Sequence, residues 1–325
     1  MQYESFGKPA EVLALAERAL PAPGLGEVRV RGLMAAIHNH DLLTVRGVYG
    51  DKPPLPALAG SEGLGIVDAV GEGVSGFMPG QRVAASSVRG TWAEYFVAPA
   101  SMLIALPDEI PDELATQLLA MPLSALMLLE FMEVKPGQWV VQNAASGAVG
   151  KALAMLGRAR GVKVLSLVRS DESAAELHAL GIPDVLSTAA LDWKERARAL
   201  IGDGHVAAAA ESVGGKAAAD LVELLGERGT LVAFGNMSGE PMAIPAGALI
   251  YRQATIKGFW GSKTSREMSR ENKLRLVGEL VELALGGGLR LPVEAVFDLA
   301  DIREAAKAAL TPGRKGKVLL RTGTR

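Results

Sequence analysis

The segment from Trp139 to Arg160 constrains this chain more than any other. An apolar run, Trp139-Val140-Val141-Gln142-Asn143, leads into Ala144-Ala145-Ser146-Gly147-Ala148-Val149-Gly150 and then into a helical stretch ending at Arg160. The spacing is A-x-x-G-x-x-G. Small residues there let the backbone turn tightly and approach an anion, and the helix start offers N–H groups and a positive dipole end. Such a turn is weak evidence alone and gains weight from its surroundings. A strand is expected at Lys163–Val168, a helix at Asp171–Leu180 stopped by Gly181, and a strand at Val206–Val213. A helix at 216–225 and strands at 229–234 and 255–260 follow. This alternation calls for right-handed βαβ units on a parallel sheet. Strands that are apolar without alternation fit burial on both faces. The plainer alternative is a tight strand–helix turn in any doubly wound protein. The dinucleotide reading is preferred.

The flanks read differently. Up to about residue 110, short runs such as Val28–Arg31 and Gly65–Val70 lie between Gly- and Pro-rich turns (PAPGLGE, GDKPPLP, GEGVSGFMPGQ). Many short strands with frequent turns suggest a barrel or sandwich. The tail holds a helix at Glu271–Leu285, a triple-glycine break, a short strand, a helix at Ile302–Leu310 and a last strand at Lys317–Leu320. A chain ending on a strand is expected to pack back onto its first domain. The expected organisation is a β-rich domain made of residues 1–120 and 268–325, with a nucleotide-binding domain of residues 121–267 inserted. A length of 325 residues suits two domains. The net charge of −2 gives no footprint for nucleic acid or an anionic membrane surface. The absence of cysteine excludes disulfides, thiolate zinc and a cysteine nucleophile. No secretory leader is legible and no apolar run is long enough to span a bilayer, so a cytoplasmic location is expected.

The end of the second nucleotide-domain strand bears on the cofactor. An acidic residue there usually meets the ribose hydroxyls of NAD, whereas an Arg accommodates the 2′-phosphate of NADP. This chain reads Leu167-Val168-Arg169-Ser170-Asp171. Arg169 and Ser170 can grip a phosphate. Alternatively Arg169 faces solvent while Asp171 caps the next helix or meets the ribose. NADPH is the expected cofactor.

These segments resemble the medium-chain dehydrogenase/reductase superfamily over nearly the whole chain. The resemblance implies an α/β protein with a discontinuous GroES-like β-rich catalytic domain and a Rossmann doubly wound parallel-sheet domain. Gly60-Ser61-Glu62-Gly63-Leu64-Gly65 resembles the superfamily's G-H-E-x-x-G segment, whose His binds zinc in the alcohol dehydrogenase branch; here it is Ser61. The first zinc Cys of that branch falls on His38, three before Asp41. His38, His40 and Glu62 are legitimate zinc ligands in type. Two histidines two apart on a strand would share a face. The preferred reading is no metal, with these residues lining a pocket or hydrogen-bonding within the β-rich domain.

Two zinc-free branches remain, and several segments look closer to the 2-enoyl thioester reductases than to the quinone oxidoreductases. Arg46-Gly47-Val48-Tyr49 before a Pro-rich stretch resembles the Q-G-x-Y segment of mitochondrial enoyl reductases, which puts the family's proton-donating tyrosine on Tyr49. Val141–Ala144 resembles V-I-Q-N-A and brings in Asn143. Phe234-Gly235-Asn236-Met237 resembles Y-G-G-M, and Gly258-Phe259-Trp260 matches G-F-W. Glu211–Gly215 looks like the strand end beside the cofactor, where Gly214 permits close backbone approach. Lys317 falls on the family's late cofactor lysine, and Ser124 on a Thr near the nicotinamide. With Ser146, Gly147, Ala148, Val149, Gly150, Arg169 and Ser170, these make up the expected cofactor contacts. The chain departs from the family in reading His38-Asn39-His40-Asp41 for N-P-[AS]-D, and Met121 for Asn before Pro122. His38, His40, Trp92, Met121 and Trp260 are candidate substrate-pocket residues, each with a plainer reading as core or rim.

The implied activity is NADPH-dependent reduction of activated carbon–carbon double bonds. Hydride goes to the β-carbon and Tyr49 stabilises or protonates the enolate. NADPH:quinone reduction is the alternative. Behind it stand a zinc-type alcohol dehydrogenase and a cofactor-binding protein without turnover. A small molecule is the expected partner. A homodimer is expected because the strand at 255–258 would otherwise leave an unpaired edge.

Overall fold

The computed structural model describes residues 1–50 and 52–323. The chain divides into two compact units, Met1–Ala120 with Leu291–Arg325, and Met121–Arg290. The helix Arg270–Leu285 therefore lies in the second unit, not with the tail as the expected boundary at 268 would have it. Its buried residues Leu276, Val277 and Leu280 recur at helical spacing and face the interior.

The second unit is built on six parallel strands in the order Val185–Ser187, Lys163–Val168, Trp139–Gln142, Val206–Glu211, Thr230–Ala233 and Thr255–Gly258. Its core holds Val141, Leu165, Ala209, Leu221 and Leu231. Sheet order turns around between Trp139–Gln142 and Val206–Glu211, since the following strands run outward from each on opposite sides. At one edge all four residues of Thr255–Gly258 are exposed.

The first unit carries a seven-stranded sheet ordered Val293–Asp298, Lys317–Arg321, Glu27–Ala36, Glu62–Val70, Arg82–Ser86 and Leu103–Ala105, with Tyr95–Pro99 also paired to Glu27–Ala36. The last strand of the chain pairs antiparallel with Glu27–Ala36, so the tail does return to the first unit. The helix Ile302–Leu310 packs Ile302, Ala305, Ala306 and Ala309 into a core shared with Tyr3, Leu13 and Trp92.

Candidate active site

In the second unit, Ala144 holds a left-handed φ of 50°, and Gly147 caps the helix Ala148–Ala159 without a side-chain acceptor. Gly150 lies where an added Cβ would sit 2.6 Å from the Ala145 Cα. Helix and turn thus touch through backbone, as a pyrophosphate cradle requires. Buried Gln142 fastens this packing: its amide donates to the Gly150 carbonyl at 2.8 Å and to Ser166 Oγ at 3.0 Å. Asn143, expected at the cofactor, bridges two strand ends. Its Nδ2 donates to Glu211 Oε1 at 2.9 Å, and its Oδ1 accepts from the Ser212 N–H at 2.8 Å.

Arg169 is exposed at the end of Lys163–Val168. Ser170, and not Asp171, caps the next helix, accepting from the Ser173 N–H at 3.2 Å. Gly214 is buried at φ 87°, where a Cβ would meet the Glu240 carbonyl at 2.6 Å. The Phe259 ring is buried among aromatics, 5.3 Å from Phe131 and 5.9 Å from Phe234. Gly235, Asn236, Met237 and Trp260 are exposed, with the Arg266 guanidinium 5.7 Å from the Trp260 ring. Ser124 is buried on the helix Ala120–Phe131, and Gly261 comes so near that a Cβ there would lie 2.9 Å from its Oγ. Met121 is half-buried in the first turn of the same helix.

The first unit holds a second polar cluster. His38 and His40 do not lie on a strand. His38 precedes the helix Asn39–Val45 and His40 lies in its first turn. Asp41 fixes this start by accepting from the His38 N–H at 2.9 Å. The H-x-x-D spacing was the readable signal for it. The two imidazoles stack nonetheless, 5.1 Å apart and 13° from parallel. His38 is fully buried, and its Nε2 lies 2.6 Å from Glu62 Oε2. Glu62 Oε1 accepts the N–H groups of Leu119 and Ala120 at 2.8 and 2.6 Å. His40 Nε2 is 2.7 Å from Ser61 Oγ. The helix ends in a glycine turn in which Gly47 takes φ 70°, its N–H donating to Thr44 and that of Val48 to Leu43. This turn brings the half-buried Tyr49 ring to 5.9 Å from His40. Trp92, expected in a substrate pocket, is fully buried in the core and donates its indole N–H to the Ala36 carbonyl at 3.1 Å.

Burial pushes the Glu62 carboxyl up from 4.5 to about 7, against the opposing pull of the Ala120 and Leu119 N–H groups, Lys317 and His40. Burial, Lys317 and His40 hold the His38 imidazole well below its ordinary 6.5, with Asp41 opposing. One proton therefore stays with the folded pair at mildly acid pH. The unfolded chain also holds one proton between about pH 4.5 and 6.5, on His38. The slope of stability with pH follows the difference in bound protons, so the pair adds none over that window. Replacing His38 by Leu removes the unfolded state's proton and leaves that of Glu62 in the fold. Urea unfolding of His38→Leu is then expected to lose stability relative to the parent as pH rises from about 4.5 to about 6.5. A pH-independent difference would refute the shared proton.

Comparison with known proteins follows the same division. Residues 24–108 match the alcohol dehydrogenase GroES-like domain and residues 148–279 the zinc-binding dehydrogenase family. The human mitochondrial enoyl-[acyl-carrier-protein] reductase is 32% identical over 324 residues, which cover 98% of this chain and 87% of that protein. The Arabidopsis thaliana enzyme of the same name is 35% identical over 90% of this chain and 80% of its own length. The chain belongs to the medium-chain dehydrogenase/reductase superfamily. Among solved structures, Escherichia coli quinone oxidoreductase complexed with NADPH superposes with a TM-score of 0.86 at 26% identity, covering 98% of each chain. An NAD-dependent alcohol dehydrogenase gives 0.87 at 27% identity, covering 99% of this chain and all of that one.

As a member of this superfamily the chain is an oxidoreductase with a GroES-like domain and a Rossmann-like NAD(P)-binding domain. The glycine cradle fits a dinucleotide, because Gly147 opens the helix start and Gly150 and Gly214 admit no Cβ. The residues do not fit zinc. Ser61 stands at the histidine position of the zinc branch, Glu62 is engaged by His38 and two N–H groups, and among the described residues no three His, Asp or Glu gather to hold a metal. Buried Lys317 opens the last strand, and its charge acts on His38 and Glu62. No motif in the sequence signals the pairing of His38 with Glu62, 24 residues apart, or spells out the bridging carboxylate of Glu211. An acid ending a buried alanine run was the available sign of the latter. Among the described residues no helix is long and apolar enough to cross a membrane.

Proposed function

We propose that this chain is an NADPH-dependent, zinc-independent reductase of activated carbon–carbon double bonds, acting on 2-enoyl thioesters or enones. The observation that carries the reading is the seat of Tyr49, turned back by Gly47 beside the His40–Ser61 pair. When bound, the nicotinamide supplies a hydride to the substrate's β-carbon. Tyr49 donates a hydrogen bond to the carbonyl oxygen as charge collects there, or delivers the proton to the α-carbon. His40, held by Ser61 and stacked on His38, forms the wall behind the phenol. In the other unit Gly147–Gly150 receive the pyrophosphate. Exposed Arg169 and the Ser170 cap offer a charged, hydrogen-bonding grip for a 2′-phosphate. Ser124, Met121, Phe234–Met237 and Trp260 in this unit, and Lys317 in the first, are the remaining candidate residues.

Quinone reduction is the second reading, favoured by the likeness to Escherichia coli quinone oxidoreductase complexed with NADPH. Cofactor oxidation against a short 2-enoyl thioester, a simple enone and a quinone, with NADPH and NADH in parallel, separates the two. Turnover of the thioester or enone with NADPH preferred is the expected result. Turnover of quinone alone would overturn the first reading, and equal use of NADH would remove Arg169 from its role. The exposed Thr255–Gly258 edge is read as the seam of a homodimer, and a monomer mass by light scattering would contradict it.

A further inference from the structure

The point where the parallel sheet turns around holds a buried carboxylate that the proposed chemistry has not used. Trp139–Gln142 and Val206–Glu211 are neighbours there, and a dinucleotide lies across the crevice outside the carboxyl ends of such a pair. Glu211 ends the second of these strands and is buried. Its Oε1 accepts three N–H groups: Asn143 Nδ2 at 2.9 Å, Val213 at 2.7 Å and Gly214 at 2.7 Å. Its Oε2 is buried with no hydrogen-bond partner. A glutamine could serve all three donors through its carbonyl oxygen, so the hydrogen bonds do not require the charge. A buried unpaired oxygen is costly, and it persists where it does something else.

The location suggests what. With Arg169 gripping the adenosine phosphate beside Lys163–Val168, the other mononucleotide half lies over Val206–Glu211 and Thr230–Ala233. We infer that the negative charge of Glu211 lies beneath the nicotinamide half and favours the oxidised, positively charged ring over the reduced, neutral one. Glu211 gains and loses no proton in this role. When the hydride leaves with its two electrons for the substrate, the ring left behind gains one positive charge, which the carboxylate stabilises through a medium of low dielectric. Glu211 is thus a positioning residue for Asn143 and the Gly214 turn that also poises the cofactor towards hydride release. The inference rests on the dinucleotide reading proposed above.

The test is equilibrium binding of NADP⁺ and NADPH, without substrate, to the parent, Glu211→Gln and Glu211→Asp (NAD⁺ and NADH if the parent prefers them). In Glu211→Gln the ratio of the Kd for the oxidised form to that for the reduced form is expected to rise about fivefold or more, the scale of a unit charge acting across a partly buried gap. Glu211→Asp keeps the charge and is expected to keep the parent's ratio. An unchanged ratio in folded Glu211→Gln overturns the inference while leaving the dinucleotide reading intact. A changed ratio in both variants overturns it too, because loss of geometry then suffices. A Glu211→Gln chain that does not fold assigns the charge to the turn itself and likewise overturns the inference. A parent that binds neither form removes the reading and the inference together.

Discussion

Tyr49→Phe is expected to lower kcat/KM on a short 2-enoyl thioester by about 10²–10³-fold, the usual cost of removing one hydrogen-bond donor from a developing oxyanion. NADPH affinity and thermal stability are expected to stay close to the parent's. The hydroxyl is the sole group removed, and the ring keeps its place 5.9 Å from His40. The segment is held by a glycine turn whose N–H groups close onto Thr44 and Leu43. If the hydroxyl acts on the enolate, kcat falls with little change in substrate binding, since the interaction forms as charge develops. Quinone reduction needs no proton from this group, so its rate is expected to change by less than about threefold, within ordinary local repacking. Equal losses on thioester and quinone would reduce Tyr49 to a wall of the pocket. Equal retention on both would remove it from the reaction.

What was legible in the sequence depends on how local each signal is. The strand Lys163–Val168 and the helix Ile302–Leu310 lie where they were expected, because each is bounded by its own local signals. The glycine turn was legible for the same reason: its spacing and flanks are all close together in the chain. The His38–Glu62 pair was not, since a hydrogen bond across 24 residues leaves no periodic trace. A strand does run up to Ala36, just before His38 and His40. The acid of Asp41 stops it by taking the His38 N–H and starting a helix. Trp92 misled by size alone: an indole suits a pocket wall or a core equally, and the Ala36 carbonyl that satisfies its N–H lies 56 residues away. The triple glycine Gly286–Gly288 that follows the helix Arg270–Leu285 is the break in composition that marks where the second unit stops, just before the Arg290/Leu291 boundary, and the expected boundary at 268 lies one helix too early. Local chemistry was readable, and partnership across the chain was not.

Gly150→Ala separates packing from cofactor contact most sharply. The added methyl would lie 2.6 Å from the Ala145 Cα, 2.7 Å from its carbonyl oxygen and 2.9 Å from its carbonyl carbon. All three are backbone atoms of the turn, so no side chain can rotate aside. The helix Ala148–Ala159 must lift, which stretches the 2.8 Å bond from Gln142 to the Gly150 carbonyl and strains the buried link to Ser166. Overpacking of this kind costs about 1–3 kcal/mol, which for a unit of this size lowers Tm by roughly 3–10 °C. The lifted helix also carries its N–H groups away from the pyrophosphate, so NADPH affinity is expected to fall at least about tenfold. Gly147→Ala is the control. Its methyl would approach only the Ala144 carbonyl, at 3.2 Å, from an exposed position with an ordinary φ of −71°. Stability is then expected to stay within about 0.5 kcal/mol of the parent, while the methyl occupies space the anion needs and affinity falls. Thermal melts with and without NADPH read both effects. A Gly150→Ala protein melting with the parent and binding NADPH normally would mean that the turn relaxes without the helix, and that the close packing at residue 150 is not what positions the cofactor.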